Sequence, residues 1–403
     1  MTFLASTDAT FRERAGSVHT ASTTSGTRQV APDVLRSLAI LLVMLVHLPL
    51  SATPAALAPV REYGWLGVDV FFVLSGYLIG TQLFKEMART GSVDFTSFYL
   101  RRAFRIFPAF FVVLAIYAFI PVLRDSPTMQ PLWKFATFTV NLGFDPRGGN
   151  AFSQAWTLAV EEQFYLVLPV LVLLAFKRIG MWQLVAGTAF LTLAGVLIRY
   201  VIWDAQIGSL VEAGQVRPAF ATYLRDIYYP TYTRLDGLLF GVLLGAARFF
   251  KPELCRKHLP PRIALPVGLI LVAAAMACFT SRGPLEGLGV FPVFQAQLGA
   301  VAGFPLISAG IALIFCALLD LEPLLKRWTV PGTALVATLS YSLYLTHKSV
   351  FRVTGMVLGE QNLQGVLGFL VYLAASFAVA AVLWFCVERS FLRLRDRMLS
   401  SRS

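Results

Sequence analysis

Charged residues are scarce in this sequence. Only 14% of its 403 residues are Asp, Glu, Lys or Arg, where a soluble domain carries about a quarter. So few charges cannot coat a water-facing surface, which excludes an ordinary soluble domain. Cysteine is scarce too. Cys255, Cys278, Cys316 and Cys386 form no CxxC pair, and three of them lie in apolar runs. That excludes a disulfide framework, and the four read as small buried residues. There is no zinc or RNA-binding spacing, so neither a metal nor a nucleic acid is expected. No Gly-rich nucleotide loop, HExxH pair or GxSxG elbow occurs, which argues against an ATP-driven pump and a soluble hydrolase.

What the sequence has in quantity is apolar length. Hydrophobic residues make up 57%, with 33 Phe among them, and mean hydropathy is +0.69. About 20 apolar residues cross a hydrocarbon core as a helix. Ten stretches qualify: 33–50, 64–84, 105–123, 158–176, 182–203, 231–249, 263–280, 295–319, 333–354 and 366–388. Segment 131–144 is apolar but short and carries Lys134 and Asn141, so it reads as interfacial or re-entrant. Segment 33–50 with Ala55-Ala56-Leu57-Ala58 imitates a signal peptide and its cleavage site. Nine further spans follow, and it is taken as the first of ten. The fold class is all-α, a polytopic membrane protein, with a disordered tail at 1–32, a membrane domain at 33–395 and a second tail at 396–403.

Charge orients these spans. With the amino terminus inside, 23 of the 34 Lys and Arg fall on inner loops and ends, at every inner loop in turn. The positive-inside rule then puts both termini in the cytoplasm. The net charge of +12 reads as a topology signal and as contact with anionic lipid. The longest outer stretches are 124–157 and 204–230. Their Arg217, Arg225, Trp203, Tyr228 and Tyr229 suit sugar stacking and hydrogen bonding, although aromatic residues belong at an interface in any case.

Ionisable residues inside spans are costly and mark function by default. They fall into two tiers. The inner tier is cationic: Arg36 at the start of the first span, and Arg101, Arg102 and Arg105 just before the third. One such arginine is an ordinary stop-transfer charge. Four together offer the planar fork that fits phosphate. The outer tier is mixed: His47, Asp69, Glu161 and Glu162, Arg234 and Asp236, and His347. A lone membrane histidine is usually a packing residue, but two at the depth of several carboxylates point to chemistry. Arg36 and His47 share one helix face about 16 Å apart. An extended donor with a phosphate head could reach from one to the other. Imidazole is a general base suited to neutral pH, and Asp69 is placed to orient it as a triad carboxylate does.

Five runs in order resemble the acyltransferase 3 family of membrane O-acyltransferases. They are Arg36 with His47; the Gly67–Tyr77 run GVDVFFVLSGY; the Arg101–Pro108 run RRAFRIFP; the Trp156–Tyr165 run WTLAVEEQFY; and the Ser340–His347 run SYSLYLTH. An Arg234-Leu235-Asp236-Gly237 step ahead of Gly241 adds to them. The resemblance covers about 33–395. Thr157 stands where Ser is common, which keeps the hydroxyl. The resemblance implies transfer of an acyl group, usually acetyl, from cytoplasmic acyl-CoA to a sugar hydroxyl of a cell-envelope glycan or lipid-linked saccharide. Some relatives modify secreted macrolides. It also implies a bacterial inner membrane, essential roles for Arg36 and His47, and donor binding by Arg101, Arg102 and Arg105. Some relatives carry a fused extracytoplasmic esterase-like domain, which is not expected after the tenth span here.

The candidate catalytic residues are therefore His47, Asp69, Glu161 and His347. Arg36, Arg101, Arg102 and Arg105 are the candidate acyl-CoA ligands, and Glu162, Arg234, Asp236 and Tyr344 the acceptor side. Two other readings stay open. In a proton-coupled secondary transporter, the intramembrane His and carboxylates would form a proton relay. An acyl carrier would hand its group to a separate enzyme. Acyl-CoA binding separates the first of these from the transferase, and a glycan product separates the second.

Overall fold

The computed structural model describes residues 28–145, 149–175, 180–280, 296–328 and 330–400. Most of the 1–32 tail, Lys177 and Arg178, and the last three residues lie outside them. Among the described residues all regular structure is helical, as lipid demands of a chain that must satisfy its backbone polar groups internally. The long helices are α1 (Val30–His47), α2 (Leu66–Thr90), α3 (Phe95–Phe119), α4 (Ala155–Ala175), α5 (Met181–Ile202), α6 (Asp236–Phe250), α7 (Pro261–Thr280), α8 (Phe304–Asp320), α9 (Thr333–Leu358), α10 (Gly365–Leu383) and α11 (Arg389–Ser400).

Among the described residues eight stretches are long and apolar enough to cross a membrane: α1 to α4, α5 extended to Glu212, α7, α8 with the turn before it, and α10 continued to Ser400. The protein is thus a multi-pass membrane protein. Two expected spans fall short of that standard for different reasons. Helix α6 has 15 residues, about 22 Å against a hydrocarbon core of about 30 Å. Helix α9 has 26 residues, but Ser, Thr, Tyr, His and Lys dilute its apolar character. Segment 131–144 forms one short helix, Leu132–Ala136, and turns, too short to cross. The 204–230 stretch is mostly helical, and Trp203 and Tyr228 are packed inside.

Helix starts correct two of the expected depths. Gly91, at φ 72°, ends α2, a backbone that a side chain would strain. The Asp94 side chain then caps α3 by accepting from the Ser97 amide at 2.9 Å. Arg101, Arg102 and Arg105 therefore lie within a helix rather than before one. Helix α4 begins at Ala155, so Glu161 and Glu162 sit nearly two turns inside it.

Glycine contacts fix the register between helices. A Cβ on Gly67 would lie 2.3 Å from the Ala39 carbonyl oxygen, and one on Gly64 2.4 Å from that of Leu42, so α1 and α2 run antiparallel. A Cβ on Gly76 would lie 2.1 Å from the Leu238 oxygen, and one on Gly241 2.2 Å from the Val73 oxygen, so α2 and α6 touch backbone to backbone; Gly237 faces Phe72 and Gly245 faces Thr81, so the two helices run parallel. Small residues at such crossings are how membrane helices pack without a hydrophobic driving force. Helix α9 runs parallel to α1, because Ser37 bonds the Thr333 carbonyl at one end and His47 meets His347 at the other.

Candidate active site

At the far end of α1 and α9 the two histidines come together. His47 Nδ1 lies 3.2 Å from His347 Nε2 and 2.8 Å from the Val43 carbonyl oxygen. His347 Nδ1 lies 2.9 Å from the Tyr344 oxygen and 3.1 Å from that of Leu343. Carbonyl oxygens only accept, so each Nδ1 carries the hydrogen when the rings are neutral. His347 Nε2 then accepts from His47 Nδ1–H, and His47 Nε2 keeps a free lone pair. His347 is fully buried, while the His47 ring is exposed to a cavity of about 440 Å3. That cavity is also lined by Asp125, Ser126, Lys348, Arg352 and Glu360. Lys348 Nζ pairs with Asp125 at 2.5 Å and donates to Ser153 at 2.8 Å.

Below the histidines a column of polar side chains follows α9 through the bundle. Tyr344 donates to the Gln154 carbonyl at 3.0 Å and shares a 2.6 Å hydrogen bond with Thr157. Tyr341 donates to the Ile106 carbonyl at 2.8 Å. Glu161 accepts from Ser75 at 2.6 Å, and Ser342 donates to Glu388 at 3.0 Å. The column ends among arginines. Arg105 lies within electrostatic reach of Arg36, Glu161 and Glu388 and makes no hydrogen bond or ion pair among the described residues. Arg36 has Asp33 at 3.6 Å, and Arg102 donates to Gln82 at 3.3 Å and lies over the Tyr165 ring. Arg101 stands apart, 3.9 Å from Glu86.

Three expected placements are corrected. Asp69 does not orient His47. The glycine register sets Asp69 level with residues near Ala39, about 12 Å deeper than His47 along α1. There it accepts from Arg234 Nη2 at 2.9 Å. Arg234 and Asp236 are buried as well, so they do not line the acceptor cavity. Arg234 stacks under Trp156, Tyr228 and Phe304, 3.8 Å from the last ring centre, while Asp236 pairs with Arg199 at 2.8 Å. These two crossed ion pairs join α2, α5 and α6. Glu161 belongs to the arginine end of the column and not to the outer tier, and Glu162 lies within electrostatic reach of Arg102 with Oε1 lacking a hydrogen-bond partner among the described residues. The outer aromatics, too, are taken up internally: Tyr228 and Tyr229 pack on Trp156, and Arg225 pairs with Asp226.

Several residues of the column had not been singled out from sequence. Arg199, Lys348 and Glu388 carried the usual signal, a charge in an apolar span. Asp125, Ser75 and Gln154 carried none.

Residues 29–385 match the acyltransferase domain that defines the acyltransferase 3 family. A Staphylococcus aureus (strain COL) protein named "Putative O-acetyltransferase SACOL0978" is 28% identical over 334 residues, which cover 79% of this chain and 50% of that protein. "O-acetyltransferase OatA" of S. aureus strain NCTC 8325 / PS 47 is 25% identical over 361 residues, 85% of this chain and 53% of that one. The chain spans about half the length of these curated relatives. No solved structure matches. The family match runs through all five motifs and takes in both histidines and the arginines at the foot of the column, and the chain belongs to the acyltransferase 3 family.

Proposed function

We propose that this chain transfers an acyl group, acetyl in the first instance, from cytoplasmic acyl-CoA to a hydroxyl of an extracytoplasmic saccharide or lipid-linked glycan. The observation that carries this reading is the free Nε2 of His47, facing a polar cavity at the opposite end of the column from Arg105, which makes no hydrogen bond or ion pair among the described residues. Arg36, Arg102 and Arg105 hold the phosphates of the donor, with Arg101 at the rim. The donor's acyl end lies along α9 toward His47. His47 Nε2 takes the proton from the acceptor hydroxyl as its oxygen attacks the thioester carbonyl. The C–S bond breaks, and His47 returns the proton to the CoA thiolate. His347 acts through His47 by fixing its tautomer, the part that a carboxylate plays in a triad. No metal enters this scheme.

Ten passes with both termini in the cytoplasm of a bacterial inner membrane complete the proposal. Support comes from the charge bias of the loops and from helix direction: α6 runs with α2, and α9 with α1. The relatives' printed names favour acetyl as the group moved.

The test is release of free CoA from acetyl-CoA by purified protein in nanodiscs, with envelope glycan as acceptor and His47→Ala as control. Release that needs both His47 and the glycan supports the transferase. Folded protein that releases nothing from any acyl-CoA sinks it and returns the proton-coupled transporter.

A further inference from the structure

The arginine end of the bundle carries a second feature, on its outer surface. A groove of about 410 Å3 runs between the first turns of α9 and the last turns of α10, with Leu335, Leu339, Phe377, Ala381, Trp384 and Phe385 in its walls and Arg28 at its edge. Its one other polar wall residue, Thr338, spends its hydroxyl on the Ala334 carbonyl at 2.7 Å. The groove follows α10 from Phe377 to Phe385, about 12 Å. That length takes part of one lipid chain.

One cation, Arg28, lines it, and a second, Arg389, lies over two of its aromatic wall residues. Arg28 donates from Nη2 to the Ala334 carbonyl and to Thr338, at 3.0 and 3.1 Å, and from Nε to Asp33. Its Nη1 has no partner among the described residues. Arg389 follows Phe385 by one turn and lies 5.5 and 5.6 Å from the ring centres of Trp384 and Phe385. Among the described residues Arg389 makes no ion pair. Arg393, Arg395 and Arg397 continue the basic run along α11.

We propose that this groove is a binding site for an anionic phospholipid, with one acyl chain between α9 and α10 and the phosphate between Arg28 and Arg389. An apolar trench alone would accept any lipid. The cation in its wall and the one on its wall aromatics add a preference for negative headgroups, because a basic group at the membrane surface favours an anionic partner by about fivefold. A soluble phosphate would have no use for the trench, so the lipid is the occupant that both features fit. The proposal rests on the membrane placement of the chain and not on the acyl-transfer reading.

The experiment uses the tryptophan in the wall. Wild-type protein and Trp384→Phe are placed in phosphatidylcholine nanodiscs holding a minor fraction of brominated phosphatidylglycerol or brominated phosphatidylcholine with the same chains. The difference between the two proteins isolates Trp384 emission. Brominated phosphatidylglycerol should quench it at about one-fifth or less of the mole fraction that phosphatidylcholine requires. The double variant Arg28→Gln, Arg389→Gln should remove that preference while still being quenched. Equal quenching by both lipids in the wild type would overturn the proposal, as would a preference that survives the double variant. No quenching of Trp384 by either lipid, or relief of quenching by soluble glycerol phosphate, would also overturn it.

Discussion

His47 and His347 form one hydrogen-bonded unit across α1 and α9, with Nδ1 of the first 3.2 Å from Nε2 of the second. Three hundred residues of sequence separate them. Their common depth follows from the parallel run of the two helices; the Val43 carbonyl and His347 Nε2 together hold the hydrogen on His47 Nδ1, as the Tyr344 carbonyl does on His347 Nδ1. His47→Ala should lower kcat by about 10²–10⁴-fold, the usual worth of a general base. His347→Ala should lower kcat less and leave KM for acyl-CoA near the wild-type value. His347→Gln, whose amide oxygen can accept from His47, should restore part of the loss. Steady-state CoA release measures all three, and a His347→Ala enzyme with unchanged kcat would remove His347 from the unit.

The arginines should separate by role. Arg105→Gln should raise KM for acyl-CoA with little change in kcat at saturation, because a phosphate contact distant from the reacting atoms binds substrate and transition state alike. Arg101→Gln should have the smaller effect, since Arg101 faces Glu86 at 3.9 Å. Equal effects from the two would contradict the placement.

Asp69 and Arg234 should matter for folding. Removing one member of a buried pair leaves the other charge uncompensated, at about 3–5 kcal/mol. Asp69→Ala should therefore lower the melting temperature and the yield of monodisperse protein. The fraction that folds should keep its turnover per molecule. Loss of turnover in well-folded Asp69→Asn protein would reopen a catalytic role.

Gly76 and Gly241 leave no room for a methyl group, because each would place it against a backbone carbonyl, at 2.1 and 2.2 Å. Backbone cannot swing aside as a side chain can. Gly76→Ala and Gly241→Ala should each prevent stable packing of α2 on α6, whereas Gly187→Ala, which meets nothing within 4 Å, should be silent. Size-exclusion profiles in detergent would distinguish them.

Asp94 gives a pH-dependent contribution at the surface. Hydrogen bonds from Ser97, side chain and backbone, hold its carboxyl below the usual value of 3.8. A lowered folded-state value stabilises the fold above the unfolded value, and the contribution fades as pH falls through the lowered one. Asp94→Ala should cost about 0.5–1 kcal/mol at neutral pH, the low end for a helix cap because the group is exposed and screened. The difference from wild type should fade as pH falls through the lowered value. Thermal melts across that range would show it, and a difference that persists in acid would refute the cap as its cause.

The sequence by itself determined that this chain lives in a membrane, because too few charges and too much apolar length admit nothing else. It also placed Arg36 and His47 on one helix face, since a single helix has a fixed period, and its five motifs carried the family. It went astray at Asp69 and Glu161, whose depths had to be compared with residues of other helices. Asp69 was set beside His47 by counting from an assumed start of the second span, and Glu161 was set at the outer surface by counting from an assumed start of the fourth. Only the tertiary structure decided these depths. Register between helices is set by where glycines let backbones touch, at Gly64, Gly67, Gly76 and Gly241, and no count along one chain segment contains that contact. The packing of α2 on α6 gave Asp69 to Arg234, and the placement of α9 against α1 and the end of α10 brought His347 to His47 and Glu388 beneath Ser342.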